Sequence, residues 1–366
     1  MKQRKQERIA TGYMLPLSDS RIGARAVLAA LVLMLCIMTG CAGRTDYLHE
    51  ANNLIENGSY PEAIEKLDSA EKSGENSRLV HRSRGIAYMG LSDYERAVEE
   101  FAMALYESDG YVQDFDLDTS YYMAVAQYRS GDIKGANDTY SYIISLFPDE
   151  YQAYYFRGRV YLAMQDIDNA KSDFDKAVKL SPQDPDMYIQ IFEAMSEAGL
   201  SEDGQKYLKN AMELNTKLSD YQKGRLYYCM GEYEKAKQSL EAAVKQKGDS
   251  KATLYLGQTY EALGDTNYAA SLYRTYLESD PGNAVVLNQL GICLLSVGDY
   301  SAALDAFNKG IEIGDPSVDQ SLRFNQVTAY EDLGDFDKAK NLMNEYLEKY
   351  PGDEAALREN EFLKTR

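Results

Sequence analysis

The sequence predicts an all-α protein built from about nine short helix pairs stacked in single file. Along most of the 366-residue chain, an alanine or glycine recurs every 32 to 39 residues. These positions are Ala63, Ala97, Ala136, Ala170, Gly204, Ala236, Ala269, Ala303 and Ala339. Apolar residues between them recur at steps of three and four, as in SRGIAYMGLSDYERAVEEFAMAL, which is the period of an amphipathic helix. This regular spacing indicates one structural unit repeated nine times.

The first 40 residues read as a signal peptide. Residues 1–25 carry six basic and two acidic side chains, and residues 26–38 (AVLAALVLMLCIM) are continuously apolar. A run of this length is shorter than the roughly 20 residues that span a bilayer, and small residues follow it, as at a cleavage site. An uncleaved anchor is the alternative, because residues 26–43 carry no charge. Both interpretations place the rest of the chain outside the cytoplasm, since positive residues stay inside.

The quartet Met38-Thr39-Gly40-Cys41 resembles the lipobox of bacterial lipoproteins. Members of that class usually carry Leu, Val or Ile where this chain has Met38. The resemblance implies that the Cys41 thiol receives a lipid through a thioether and becomes the mature N-terminus, with residues 41–43 as a short tether. Several acyl chains, each contributing about 0.8 kcal/mol per buried CH₂, hold a protein firmly at a bilayer. The expected location is therefore the bacterial cell envelope, lipid-anchored and facing outside the cytoplasm.

Each unit contains a predicted break between its two helices. A glycine lies five residues before the recurring small residue in seven units, and Ser92 and Gln165 take its place in the other two. Glycine there supplies the left-handed conformation that ends a helix. The next residue is often an aspartate suited to cap the second helix, namely Asp132, Asp166, Asp265, Asp299 and Asp335. Prolines are expected to stop the second helices, namely Pro148, Pro182, Pro281 and Pro351.

This pattern resembles the tetratricopeptide repeat, a helix-turn-helix unit of about 34 residues. The likeness covers residues 44–353, with units starting near 44, 78, 117, 151, 185, 217, 250, 284 and 320, and it is closest in YQAYYFRGRVYLAMQDIDNAKSDFDKAVKLSPQD. The fifth unit departs from it, with Phe192 where most units have alanine or glycine. The resemblance implies a right-handed superhelical α-solenoid. Residues 354–366 are expected to form a final helix that covers the last apolar face.

In this family the first helices line a concave groove that binds extended peptides or partner helices. Carried onto this chain, that register places seven side chains of the middle units in the groove: Tyr121, Tyr128, Tyr155, Arg159, Tyr221, Arg225 and Tyr228. Tyrosine and arginine are enriched at interface hot spots. The alternative is that tyrosine is ordinary filling, since the chain has 31 of them.

Other functions have little support in the sequence. The 58 acidic and 39 basic residues give a net charge of −19, which disfavours nucleic acid as a partner. His49 and His81 have no companion at metal-ligand spacing, and Cys229 and Cys293 lie too far apart in the array for a disulfide. We find no glycine-rich phosphate loop and no nucleophile with a local base. Nothing therefore indicates an enzyme, a cofactor or a metal.

The leading functional prediction is a membrane-tethered extracytoplasmic scaffold that binds protein or peptide partners, expected to be envelope proteins. The alternative is an assembly factor for an envelope machine such as a pilus, a secretion complex or a cell-wall synthesis complex, which rests on fold-level analogy alone. A family clamp for C-terminal carboxylates is disfavoured, because Ser83 and Tyr122 stand where Asn and Arg would be needed.

Overall fold

The computed structural model describes residues 46–107, 114–214, 217–247 and 250–366, and every regular element within these ranges is an α-helix. The helices divide into two compact parts: residues 46–214, here called the N-terminal array, and residues 217–366, the C-terminal array. Within each array, helices that follow one another along the chain pack side by side. The prediction of an all-α solenoid is confirmed.

The N-terminal array holds five helix pairs, which are the first five repeats. Its helices are α1 (Tyr47–Glu56), α2 (Tyr60–Lys72), α3 (Ser77–Gly90), α4 (Tyr94–Tyr106), α5 (Asp114–Ser130), α6 (Ile133–Leu146), α7 (Tyr151–Ala163), α8 (Ile167–Leu180), α9 (Pro185–Glu197) and α10 (Ser201–Leu214). Odd-numbered helices are the first helix of a repeat and even-numbered helices are the second.

The C-terminal array holds the remaining four pairs and one last helix. Its helices are α11 (Asp220–Cys229), α12 (Tyr233–Lys247), α13 (Ser250–Ala262), α14 (Thr266–Ser279), α15 (Ala284–Val297), α16 (Tyr300–Ile313), α17 (Asp319–Leu333), α18 (Phe336–Lys349) and α19 (Glu354–Leu363). The last helix buries Ala356 and Leu363 against the apolar cluster that contains Met343 and Tyr346 of α18.

The turns within the repeats have the predicted left-handed conformation. All seven expected glycines have φ between +75° and +87°. Ser92 and Gln165, which replace glycine in the second and fourth repeats, both have φ of +60°. A residue with a Cβ rarely adopts this conformation. The turn geometry is therefore kept even where the sequence lacks the residue best suited to it.

The predicted caps and stops are also present. Each of the five predicted aspartates accepts a hydrogen bond from the backbone N–H three residues further on, at 2.9 to 3.3 Å. Asp93 caps α4 in the same way. Helices α6, α8, α14 and α18 each end two residues before the proline expected to stop them, because the residue before a proline is pushed out of the helical region.

Small residues on the first helices allow close packing on a large ring. A Cβ added to Gly85 would lie 2.6 Å from the Phe101 ring, and one added to Gly158 would lie 2.5 Å from the Phe174 ring. Both phenylalanines are fully buried. The backbone of the first helix therefore rests directly on an aromatic ring of the second helix.

The fifth repeat accommodates a large residue on its first helix. Phe192 lies on the first helix, α9, where the other repeats are mostly small, and Gly204 lies on the second helix, α10. A Cβ added to Gly204 would lie 3.1 Å from the ring of Phe192. The second helix keeps a large buried residue, Leu208, and glycine at 204, where the other repeats have alanine, leaves space for the Phe192 ring.

The first helices lie on the inner side of each array. Besides packing on its own partner, α3 contacts α1 and α5, and α13 contacts α11 and α15. Among the described residues, no two second helices of neighbouring repeats contact each other to the same extent. Elements that crowd together lie on the inside of a curve, so the exposed faces of the first helices form the concave side of each array.

Residues 1–40, the tether 41–43 and Cys41 lie outside the described residues. Among the helices that are described, none combines the length and the apolar character needed to cross a membrane.

Candidate functional site

Two of the predicted groove residues, Tyr121 and Tyr128, lie on α5 in the N-terminal array. Both side chains are half-exposed and pack against the apolar cluster of the third repeat. The Tyr121 ring lies edge-on to the rings of Tyr140 and Phe156, with centroids 6.1 and 6.0 Å away. Edge-to-face contacts of this kind stabilise an aromatic cluster and fix the ring in place. Both tyrosines are therefore partly exposed, and the neighbouring rings hold the Tyr121 ring in place.

Tyr155 does not face a groove, and the prediction that it does is wrong. The residue is only 4% exposed. Its ring packs between Phe156 and Phe174, with centroids 5.2 and 6.1 Å away. Burial raises the pKa of its phenol to about 12, although the nearby Arg159 opposes this rise. Tyr155 belongs to the core of the fourth repeat because two neighbouring phenylalanines enclose its ring.

Arg159 lies on α7 one turn beyond Tyr155 and is half-exposed. Its guanidinium lies close enough to the Tyr155 hydroxyl to lower the pKa of that phenol, and Glu193 and Glu197 of α9 lie close enough to raise it. The arginine is thus held at the boundary between the core and the concave face, with carboxylates of the next repeat beside it.

The three predicted residues of α11, Tyr221, Arg225 and Tyr228, form one cluster in the C-terminal array. The Arg225 guanidinium lies 5.4 Å from the centroid of the Tyr221 ring and 5.3 Å from that of Tyr255 on α13. Tyr228 lies edge-on to Tyr255 at 5.6 Å and tilted against Tyr233 at 5.7 Å. Burial raises the pKa of the Tyr228 phenol, and nearby Tyr233, Cys229 and Glu261 add to the rise, so the hydroxyl stays protonated at neutral pH.

The side chains of this cluster combine partial exposure with contacts that limit their movement. Tyr221, Arg225 and Tyr228 are all half-exposed, and the guanidinium contacts the neighbouring Tyr221 and Tyr255 rings. A cation above an aromatic face contributes about 0.5 to 2 kcal/mol, more as water is removed. A side chain held in one position loses little entropy on binding.

A second arginine of this type was missed in the sequence. Arg82 on α3 lies 5.4 Å from the centroid of the Phe115 ring and 5.5 Å from that of Tyr122, and 3.7 Å from a carboxylate oxygen of Asp118. Arg82 occupies the same repeat position as Tyr121 and Tyr221. The repeat register extended to the second repeat would have identified it.

Many other tyrosines are structural. Their hydroxyls donate hydrogen bonds to carboxylates one or two helices away or at the start of the next helix. These pairs are Tyr207 with Asp175 (2.8 Å), Tyr260 with Glu241 (2.5 Å), Tyr346 with Asp353 (2.5 Å) and Tyr350 with Asp319 (2.6 Å). A tyrosine gains both contact area and a partner for its hydroxyl in this way, so these four serve packing between helices.

The remaining candidates form no reactive centre. His49 is exposed on α1, whereas His81 is buried on α3 with Nδ1 2.7 Å from Glu100 Oε2. Across the described ranges, no three His, Cys, Asp or Glu side chains are placed to hold a metal ion. Cys229 and Cys293 are both thiols, and burial raises the pKa of Cys293, which disfavours the reactive thiolate.

Models of tetratricopeptide repeats match the sequence at residues 48–112, 118–150, 151–184, 221–284, 272–305 and 322–353. Together these matches cover well over half of the chain. The chain belongs to the tetratricopeptide repeat family. Tetratricopeptide repeat proteins are generally non-enzymatic and mediate protein–protein interaction. The helix pairs described above are therefore its repeats.

Two curated relatives are similar to this tetratricopeptide repeat chain. Protein CTR9 homolog of Arabidopsis thaliana is 21% identical over 355 residues, covering 94% of this chain and 30% of the relative. BBSome complex member BBS4 of Bos taurus is 24% identical over 155 residues, covering 42% of this chain and 30% of the relative. The chain thus spans less than a third of the length of either protein.

Solved structures with similar helical arrays include three of note. A tetratricopeptide repeat protein from Parabacteroides merdae is 14% identical with a TM-score of 0.45, covering 78% of this chain and 97% of its own. The APC/C hetero-tetramer Cut9-Hcn1 is 14% identical with a TM-score of 0.41, covering 87% of this chain and 83% of its own. MamA is 22% identical with a TM-score of 0.38, covering 45% of this chain and 93% of its own.

Proposed function

We propose that this protein is a lipid-anchored scaffold of the bacterial envelope that binds protein or peptide partners on the concave faces of its arrays. The observation that carries the binding role is the cluster around α11, where the Arg225 guanidinium lies beside the rings of both Tyr221 and Tyr255. The half-exposed arginine and tyrosines combine contact area with directed hydrogen bonds, which is the composition of an interface hot spot.

The envelope location is supported by the N-terminal sequence alone. Residues 1–25 are basic, residues 26–38 are apolar, and Cys41 follows Thr39 and Gly40 as in a lipobox. A lipid on Cys41 would tether the repeats at a membrane, where partners in the same membrane reach a high local concentration. Weak individual contacts in the groove would then suffice for stable association.

The binding role is tested by comparing capture of partners by two variants. Full-length protein is purified from detergent-solubilised membranes of its source cells as the wild type, Arg225→Ala and Arg274→Ala. Arg274 is a matched control because it is exposed on α14, a second helix. We expect the Arg225 variant to lose partners that both other proteins retain. Identical sets of captured proteins from all three would refute the role of this cluster.

The anchor is tested separately with Cys41→Ser. We expect the wild type in the membrane fraction and the variant either soluble or retained as an uncleaved precursor. Mass spectrometry of the wild-type N-terminal peptide should show a lipid on Cys41. An unmodified Cys41 within an intact N-terminal segment would instead establish the uncleaved anchor.

A further inference from the structure

A row of apolar side chains runs along the edge of the C-terminal array where the two helices of each repeat are joined. One such residue precedes the left-handed glycine in all four repeats: Met230, Leu263, Val297 and Leu333. Val297 is 44% and Leu333 53% exposed, and the other two are half-exposed. Single exposed apolar residues are common on protein surfaces. Here the repeat places one at the same point of each of the four turns, which makes a regularly spaced row.

The turns hold this row rigidly. Each residue of the row is followed by a glycine with φ between +76° and +87°. In the last three repeats, the next residue is an aspartate whose carboxylate accepts the N–H three residues further on. Backbone fixed on both sides by capping hydrogen bonds sets the direction in which each side chain leaves the turn. A partner would therefore bind a row whose backbone is already ordered.

The row lies in an acidic setting. The segments 229–234, 262–267, 296–301 and 332–337 contain no basic residue and seven acidic ones: Glu232, Glu234, Asp265, Asp299, Asp332, Asp335 and Asp337. Four lysines follow within the first turns of α12 and α18, and three of them form ion pairs with Glu232, Glu234 and Asp337. No lysine or arginine occupies the corresponding turns of α14 and α16, so Asp265 and Asp299 leave the middle of the row negative.

The chain itself places a cation at the end of this edge. The guanidinium of Arg366 lies 5.9 Å from the ring centroid of Phe336, the first residue of α18, and 5.0 Å from that of Phe362. Tyr233 and Tyr300 occupy the position of Phe336 in the sixth and eighth repeats. An aromatic ring beside an apolar residue and a carboxylate favours a basic side chain.

From this combination we infer that the turn edge of the C-terminal array is a second binding surface, separate from the groove, and that it takes a basic amphipathic helix. Packed helices lie about 8 to 10 Å apart, so successive repeats advance about 10 Å along the edge. A helix rises 1.5 Å per residue, so one apolar residue in about seven would match the row. Lysine or arginine on both sides of that stripe would face the aspartates.

The test uses full-length protein in detergent and a labelled synthetic helix of about 22 residues, long enough for three repeat steps of about 10 Å. The peptide carries leucine at every seventh position with lysines on both sides, and a control peptide replaces every lysine by glutamate. Fluorescence anisotropy measures binding. We expect the lysine peptide to bind, the glutamate peptide to fail, and binding to weaken as salt rises through the range where surface charges are screened.

The protein variants locate the surface. Val297→Gln combined with Leu333→Gln should weaken binding at least about tenfold, equivalent to about 1.4 kcal/mol. Leu357→Gln changes a residue of similar exposure, 45%, on α19, and should leave binding unchanged. Thermal unfolding of each variant shows whether it is folded, and the peptide charge reversal tests the inference on unchanged protein.

Three results would overturn the inference. The first is equal binding of the lysine and glutamate peptides. The second is loss of peptide binding in Arg225→Ala but not in the row variant, which would assign the peptide to the groove and leave the proposed scaffold role intact. The third is binding of the row to phosphatidylcholine vesicles, abolished by Val297→Gln and Leu333→Gln, without any peptide binding. That result would make the row a membrane contact.

Discussion

Replacing Asp319 by asparagine should destabilise the last repeat through the loss of one buried charge. Asp319 starts α17 and is 5% exposed. Its carboxylate accepts hydrogen bonds from Arg323 Nε (2.9 Å), Lys349 Nζ (2.7 Å) and the Tyr350 hydroxyl (2.6 Å). Two of these donors come from the far end of α18 and the residue that follows it. The carboxylate therefore ties the start of the ninth repeat to its end.

The magnitude follows from the pKa of this carboxyl. Burial alone would raise it, but the hydrogen bonds from Lys349, Tyr350 and Arg323 and the charge of Arg323 outweigh burial and lower it from 3.8 to about 2. A difference of nearly two units corresponds to about 2 kcal/mol. Because the folded-state pKa is depressed, this stability is present above the unfolded pKa near 4 and is lost as the pH falls toward 2. We therefore expect Asp319→Asn to cost about 2 kcal/mol at pH 7 and little near pH 2.

Amide hydrogen exchange is the appropriate measurement, because repeat arrays open locally and a single unfolding energy is poorly defined. Protection should fall in α17, α18 and α19 and remain unchanged in α11. Asp337→Asn is the matched control, since the Asp337 side chain is 97% exposed and pairs with Lys340 only at 3.8 Å. Equal losses in both variants at pH 7, or a loss from Asp319→Asn that persists undiminished at pH 2, would refute the reasoning.

Three further predictions concern packing and turns. Ser92→Gly and Gln165→Gly should each raise stability by about 0.5 to 1 kcal/mol in thermal unfolding, because glycine removes the strain of a Cβ at φ +60°; a fall in melting temperature would contradict this. Gly158→Ala should lower stability by about 1 to 3 kcal/mol, because the new Cβ meets the buried Phe174 ring, and Phe174→Leu in the same chain should relieve much of that loss. Tyr155→Phe should leave partner capture unchanged, since the ring is enclosed in the core; loss of partners from a variant with normal stability would restore Tyr155 to the groove.

The turns and caps show how much of the fold is local. A glycine after one apolar helix and an aspartate before the next give the end of one helix and the start of another without reference to distant residues. That is why the turn residues and the aspartate caps could be predicted from the sequence. Ser92 and Gln165 also adopt the left-handed conformation, because the turn between the two helices of a repeat requires it at this position.

The groove residues show where this reasoning failed. Position within a repeat correctly placed Tyr121, Tyr221, Arg225 and Tyr228 on the half-exposed side of the first helices. The same register placed Tyr155 there wrongly, because Phe156 and Phe174 enclose its ring. A helical register gives the direction of a side chain, whereas burial depends on the size of the neighbours across the interface.

By itself, the sequence determined the repeat length, the helix ends and the all-α class, since each follows from short-range patterns of small, apolar and capping residues. Only the tertiary structure decided which tyrosines are exposed and which bind a carboxylate of another helix. It also revealed that Gly204 leaves space for the Phe192 ring and that Asp319 joins both ends of its repeat. Those outcomes depend on atoms that are 7 to 32 residues apart along the chain and within about 3.5 Å in space, and no local pattern records such distances.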